Sequence, residues 1–269
     1  IWEFFCRIKY LAVTEPDASM TQIIVLGRGL IGTATTYHLL REGASSVINI
    51  DGKNVGSGAT SRSAGLIIHS GTPEKVLFAQ QTIRDIADLS TKLKLMGRHG
   101  VDFHQIGTLR LATNTVEAAH IRHEVNFIQS CGIEHGAAHN VCIGELSYDE
   151  ICSSVPWVSA DAIHSESASI VKDDGWVDAS ALAGAYWSVS RELGAVPVNE
   201  NATKLICNDH KVIGVETSSG THVASHVIDA TGVSGSLAEK LGTNPLPFAP
   251  VRSHFFECHS PAFSYPFGW

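Results

Sequence analysis

The six cysteines, at 6, 131, 142, 152, 207 and 258, form no Cys-x-x-Cys pair, so a zinc ribbon and a dithiol redox motif both lack their spacing. In a chain of 269 residues buried, reduced thiols are expected rather than a disulfide framework. Charge is sparse. Only 17 % of residues are charged, and 19 basic against 27 acidic residues leave a net charge of −8. That balance argues against nucleic acid and against an anionic membrane surface as partners. The 14 histidines add positive charge only below about pH 6.5. No apolar run reaches the roughly 18 residues a membrane span needs. Repeats and low-complexity tracts are missing too. What remains, an apolar share of 44 %, is ordinary for one large globular domain or two modest ones.

The first residues are unusual. Ile1 to Tyr10 is apolar and aromatic but carries Glu3, Arg7 and Lys9. It lacks the uninterrupted apolar stretch and small-residue cleavage site of a signal peptide. Met20 then stands just ahead of a strand-like run. Residues 1–19 therefore read as a non-native or disordered leader, with Met20 as the expected start. A cytoplasmic or organellar-matrix location is expected over secretion.

Gln22 to Leu26 is a short β-branched run ended by Gly27, as a buried parallel strand reads. Leu30 to Arg41 has helical periodicity with Gly43 as its stop. Val47 to Ile50 is a second strand, closed by Asp51. Strand, Gly-rich turn, helix and strand make a βαβ unit. Residues 52–73 form a connection with five glycines and one proline, long enough to suggest a functional loop. Helices are predicted over 74–96, 115–130 (with Gly132 as its stop), 146–152, 179–193 and 236–241. Strands are predicted over 107–112, within 162–171, and over 196–198, 203–207, 212–217 and 222–228. The residues 208–211 (NDHK) between two of these give a hairpin signal. One more strand begins at Val251.

The first chemical motif is Gly27-Arg28-Gly29-Leu30-Ile31-Gly32. It lies between a strand and a helix, and Asp51 ends the next strand 19 residues after Gly32. This context marks a dinucleotide-binding turn. Gly27 allows the tight turn, Gly29 lets backbone approach a pyrophosphate, and Gly32 lets helix pack on strand. The helix N-terminus offers free N–H groups to the phosphates. Asp51 suits the ribose hydroxyls of an adenosine and disfavours a 2′-phosphate. Arg28 departs from the small residue usual there, and is read equally as a bystander or as a phosphate contact.

The second motif, Gly56 to Leu66 (GSGATSRSAGL), says by composition only "flexible polar loop". It resembles the segment after the second strand in the D-amino-acid oxidase/dehydrogenase superfamily of FAD enzymes, which includes glycine and sarcosine oxidases. Asp173 to Asp178 (DDGWVD) is similar to that family's D-G-x-V-D segment, and Val227 to Gly232 (VIDATG) to its A-T-G signature. The resemblance runs from about Gln22 to about His254. The stretch from Ser63 to Pro73 leans toward the D-amino-acid dehydrogenase branch, with a shorter loop. It implies FAD as cofactor, contacted by Gly27, Gly29, Leu30, Ile31, Gly32, Asp51, Gly52, Gly58, Ala59, Thr60, Arg62, Ser63, Ala64, Gly65, Leu66, Ala202, Thr231 and Gly232. Some relatives attach FAD through a histidine in this loop. Arg62 stands at the corresponding place, so that linkage is not implied here.

The fold implied is α/β: a Rossmann-type FAD-binding domain with an inserted or second mixed α+β substrate domain, incomplete in this chain. The expected divisions are residues 20–105 and 173–247 for the FAD domain, 106–172 for the first part of the substrate domain, and 248–269 for the start of its return. Family relatives run on for another hundred or more residues, so the chain reads as a fragment. The implied reaction oxidises the C–N bond of a D-amino acid or N-methyl amino acid by hydride transfer to flavin N5. The electron acceptor is not legible. His69 is expected either as a substrate or flavin contact or as a plain loop histidine, and Arg252 either in an ion pair or on the substrate carboxylate. No metal site is expected, since His120, His123, His135 and His139 lack accompanying ligands. Trp157, Trp176 and Trp187 are expected in the core. Two other readings stay open: a non-catalytic dinucleotide-binding fragment, and a nicotinamide dehydrogenase, against which the Gly56–Leu66 loop argues.

Overall fold

In the computed structural model the described residues are 22–134, 143–146, 149–150, 168–209 and 211–234. Residues 1–21 and 235–269 lie outside them, and with them the leader, the predicted helix at 236–241, the strand at Val251 and Arg252. No helix among the described residues is long and apolar enough to cross a membrane.

The chain opens as β1 (Gln22–Leu26), α1 (Leu30–Arg41) and β2 (Ser46–Ile50), as the βαβ signal requires. A single 3-10 turn (Thr60–Arg62) and the short β3 (Leu66–Ile67) lead into α2 (Pro73–Leu95). The stretch 52–73 is thus partly ordered rather than a plain loop. Next come β4 (His104–Gln105), β5 (Thr108–Leu111) and α3 (Thr115–Glu134). Then follow β6 (Ile143–Leu146), β7 (Ala168–Val171) and β8 (Gly175–Trp176). The tail is α4 (Ala179–Glu192), β9 (Val196–Val198), β10 (Lys204–Asn208), β11 (Lys211–Thr217), β12 (Gly220–Val223) and β13 (His226–Asp229).

Three sequence-based expectations need correction. Gly132 does not stop α3, which continues to Glu134; an interior glycine costs a helix only about 1 kcal/mol. Leu146, expected to open a helix, is the last residue of β6 and pairs with Ala168. The single strand expected over 222–228 is two strands. Ala224 N–H donates to Ile213 O at 2.9 Å, and Ser225 N–H to Gln22 O at 2.9 Å. The chain therefore changes sheets between consecutive residues, which a continuous apolar run cannot reveal.

A four-stranded sheet in the order β13-β1-β2-β9 forms the centre, with all three pairings parallel. Side chains alternate across it. Ile24, Leu26, Ile48 and Ile50 pack on one face against Leu205 and Val215 of the antiparallel β10-β11-β12 meander and against Ala224 just after it. Val25, Val47 and Asn49 alternate with them and are fully buried. A second core joins Tyr37 of α1, Ile86, Leu89 and Leu93 of α2, and Leu182, Ala185, Tyr186 and Val189 of α4. Asp178 starts α4 by accepting from Ser180 N–H at 2.8 Å and Ala181 N–H at 3.0 Å, the bonding of an N-cap. Two smaller antiparallel sheets, β3-β8-β4 and β5-β7-β6, complete the described structure.

Candidate functional site

In a parallel sheet every strand delivers its following loop to the same edge. Here the C-terminal ends of β13, β1, β2 and β9 carry Thr231 and Gly232, Gly27 to Gly29, Asp51 and Gly52, and Asn199 to Ala202. Residues spread over some two hundred positions are brought to one crevice. The glycines fit their expected duties. Gly27 has φ +100°, and a Cβ there would sit 2.4 Å from Ala230 O. A Cβ on Gly32 would sit 2.0 Å from Gly27 O, so helix and turn touch backbone to backbone.

Gly29 is the N-cap of α1 and supplies no side-chain cap. The Leu30 N–H donates to Thr60 Oγ1 at 3.0 Å, and a Cβ on Gly29 would meet only that hydroxyl, at 3.2 Å. The first turn of a helix leaves its N–H groups without intrahelical partners. Those of Ile31 and Gly32 are not bonded by any described residue. In the same first turn the apolar side chain of Ile31 is 70 % exposed, and in the following loop Leu66 is 62 % exposed. Bare amides beside uncovered apolar surface suit a molecule with a diphosphate and a fused-ring system. The residues present therefore fit FAD.

Asp51 lies at the same mouth. Its Oδ2 accepts the Arg28 N–H at 2.7 Å and its Oδ1 the Lys53 N–H at 2.8 Å. The carboxylate is held rigidly by backbone, with lone pairs left for sugar hydroxyls. The Asn201 side chain lies where a Cβ on Gly52 would come within 2.6 Å of it, so this side of the crevice is closely built. Ala202 packs against the core of the meander.

Arg28 meets neither of its two expectations. Its side chain is 5 % exposed and turns inward. The guanidinium donates to Asn49 Oδ1 (3.0 Å), Asn199 Oδ1 (2.7 Å), Asp51 O (3.1 Å) and Val198 O (2.6 Å). It also lies 5.1 Å from the Trp187 ring centroid, a cation–π contact. Burial lowers its pKa, Asp51 opposes that, and Arg191 adds to it. Arg28 is thus a clamp joining the glycine turn to the ends of β2 and β9. Sequence reasoning missed its partners Asn49 and Asn199. A polar residue inside an apolar strand, as Asn49 is, was the available signal, because buried polar groups need partners.

The second loop is exposed from Ser61 to Ala64, with Ala59 exposed ahead of them. Gly58 O accepts from Arg62 Nη1 at 2.9 Å and from Ser61 Oγ at 3.1 Å, closing the turn. His69 does not face a substrate. It is 1 % exposed, and its N–H and Nδ1 both lie 2.8 Å from Asp174 Oδ1. A side chain sealed against a carboxylate that is itself fully buried anchors the loop rather than meeting a reactant. Arg252, the other residue expected at the substrate, lies outside the described residues.

Known proteins bear on this geometry. Glycine oxidase of Bacillus licheniformis is 28 % identical over 242 residues, covering 88 % of this chain and 60 % of that protein. Human mitochondrial dimethylglycine dehydrogenase is 23 % identical over 237 residues, covering 87 % and 26 %. The crystal structure of glycine oxidase from Geobacillus kaustophilus superposes with a TM-score of 0.65 at 22 % identity, over 83 % of this chain and 59 % of that one. The chain thus spans about three-fifths of the glycine oxidase it matches. The family model described as DAO, FAD dependent oxidoreductase, matches residues 22–266, and the chain accordingly belongs to that FAD-dependent family.

Proposed function

We propose that the chain holds FAD across the C-terminal edge of the β13-β1-β2-β9 sheet and forms the cofactor-binding part of an amino-acid oxidoreductase. Its substrate class is a D-amino acid or N-methyl amino acid, oxidised at the C–N bond. The observation that carries the reading is the convergence at one mouth of bare α1 amides, the Asp51 carboxylate and the uncovered Ile31. The printed names of relatives, glycine oxidase and dimethylglycine dehydrogenase, support the substrate class.

Bound flavin would supply the two-electron acceptor. The chain's own residues do the holding. The Ile31 and Gly32 amides and the α1 dipole meet the diphosphate. Asp51 takes the ribose hydroxyls. The 58–66 loop would lie beside the ring system, where Leu66 would offer it an apolar surface.

The test titrates the purified chain with FAD and, separately, with NAD, following the melting temperature and the visible flavin spectrum. FAD should raise the melting temperature progressively as its concentration exceeds the dissociation constant, and NAD should not. Glycine, sarcosine and D-alanine are then added anaerobically, and bleaching of the flavin band reports oxidation. Bleaching by one of the three would support the substrate class; binding without bleaching would leave this chain as a dinucleotide-binding part. A chain that FAD does not stabilise would sink the reading altogether.

A further inference from the structure

From Gly65 to His69 burial alternates strictly: Gly65, Ile67 and His69 are buried, Leu66 and Ile68 exposed. This is strand-like alternation, yet the ladder beneath it is minimal. Only Leu66 with Trp176 and Ile67 with Gly175 pair between β3 and β8. Val177 N–H adds one bond to Gly65 O at 3.0 Å. A short ladder specifies its register weakly, and a slip of one residue exchanges the two faces. Something besides the ladder must therefore fix which side chains point outward.

Asp174 is placed to do it. Its Oδ1 accepts both the His69 N–H and the ring Nδ1, each at 2.8 Å. Arg110 Nη2 donates to His69 O at 3.3 Å and lies 3.9 Å from Asp174 Oδ2. Arg110 in turn pairs with Glu124 Oε2 at 2.6 Å. Both His69 and Asp174 are inside the protein, where a polar residue is stable only with its partner. Slipping the strand would carry His69 outward, strand the carboxylate, and bring Leu66 and Ile68 inward. Among the described residues Asp174 Oδ2 has no hydrogen-bond partner, so the carboxylate is retained at a cost. At the ladder's other end a Cβ on Gly65 would collide with Val177 O at 1.9 Å, so the same register is required there.

We infer that Asp174 is a positioning residue: acting through His69, it locks the register of residues 65–69 and so sets which side chains this loop offers to the cofactor. The cofactor half of this statement rests on the function proposed above; the register half does not.

The test uses the full chain with Asp174→Leu and His69→Leu, which break the clamp. Asp174→Asn, which keeps Oδ1, and His69→Asn, whose amide nitrogen stands near the position of Nδ1, preserve it. Asp85→Asn alters a different buried carboxylate and serves as the control for general destabilisation. Trypsin cuts after the exposed Arg62, and its rate there reads local opening. Without FAD, the two leucine variants should raise that rate about tenfold, the loss expected for a buried hydrogen-bonded pair. The two asparagine variants at 69 and 174 should stay near the parent chain. With FAD, the leucine variants should shift and broaden the visible flavin band, which Asp85→Asn should leave in place. Unchanged cleavage at Arg62 in both leucine variants would overturn the register lock. Raised cleavage with an unchanged flavin band would overturn its bearing on the cofactor. Failure of the parent chain to bind FAD would instead strike the proposed function, and the FAD-free cleavage would still judge the lock.

Discussion

At the N-terminal end of α1 the polar groups are left open, and at its C-terminal end they are closed. The first end presents Gly29 as an uncapped start, with the Ile31 and Gly32 amides bonded by no described residue. The last turn contains His38 and Arg41, and both reach Asp85 of α2. That carboxylate accepts further bonds from Gln81 Nε2 at 2.9 Å and from the Tyr186 hydroxyl of α4 at 3.1 Å. Lys92 caps the cluster by donating to the Tyr37 hydroxyl at 2.8 Å. One helix thus keeps unsatisfied donors where a ligand is expected and spends its other end joining three helices. Stability and ligand capacity are separated along a single element, and each can be perturbed without the other.

The largest blow to that separation should come from Gly32→Ala, whose Cβ would meet Gly27 O at 2.0 Å. Backbone must move, so we expect a loss on the order of 3 kcal/mol together with FAD affinity, read by urea denaturation and FAD titration. A variant that keeps both would show that the turn tolerates a side chain. Asp85→Leu should cost nearly as much, about 2–3 kcal/mol, because the Tyr186 hydroxyl and the partly exposed His38 and Arg41 lose a common acceptor. Here FAD affinity should hold; if it falls in step with stability, the two ends are coupled and the comparison breaks.

The pH dependence sharpens the same contrast. Burial alone would raise the Asp85 carboxyl, but hydrogen bonds from His38, Gln81 and Tyr186 outweigh it and hold its pKa below the ordinary value of 3.8. A lowered acid contributes stability that is complete above its unfolded-state pKa and is lost as pH falls through the folded one. Acid unfolding should therefore carry a limb below about pH 4 that Asp85→Asn flattens. Burial, with the Asp85 carboxylate beside it, also raises the Tyr186 hydroxyl above 10.0. Its contribution is present below that value and is lost as pH rises beyond it. The smallest effect belongs to Asp178→Ala, which removes the α4 cap. It should cost about 1 kcal/mol in a urea titration and leave the flavin band unmoved.

How legible each region was follows from how local its determinants are. β1, the glycine turn, α1, β2 and Asp51 lie within some thirty residues, and α1 came out with its expected bounds. The periodicities and the glycine spacing are written in adjacent positions. The His69–Asp174 clamp joins residues 105 apart, and β3, β4 and β8 are two residues each. No window on the sequence can display such a pairing, so His69 looked like a loop residue beside a reactive face. Arg28 misled for a related reason. Its acceptors include Asn199 and Val198, about 170 positions away, and only the parallel pairing of β2 with β9 brings them under it.

The central sheet carries a consequence for how the molecule comes into being. Ser225 Oγ donates to Gln22 O across a separation of 203 residues, and β13 completes one flank of β1. Until the polypeptide has been made as far as Asp229, that flank is an unprotected edge able to recruit other strands. Closure over so long a span is slow, and newly made intermediates with this edge bare are prone to clump. Expression of pieces ending before His226 should consequently give insoluble material, whereas pieces reaching Asp229 have the strand that seals the gap.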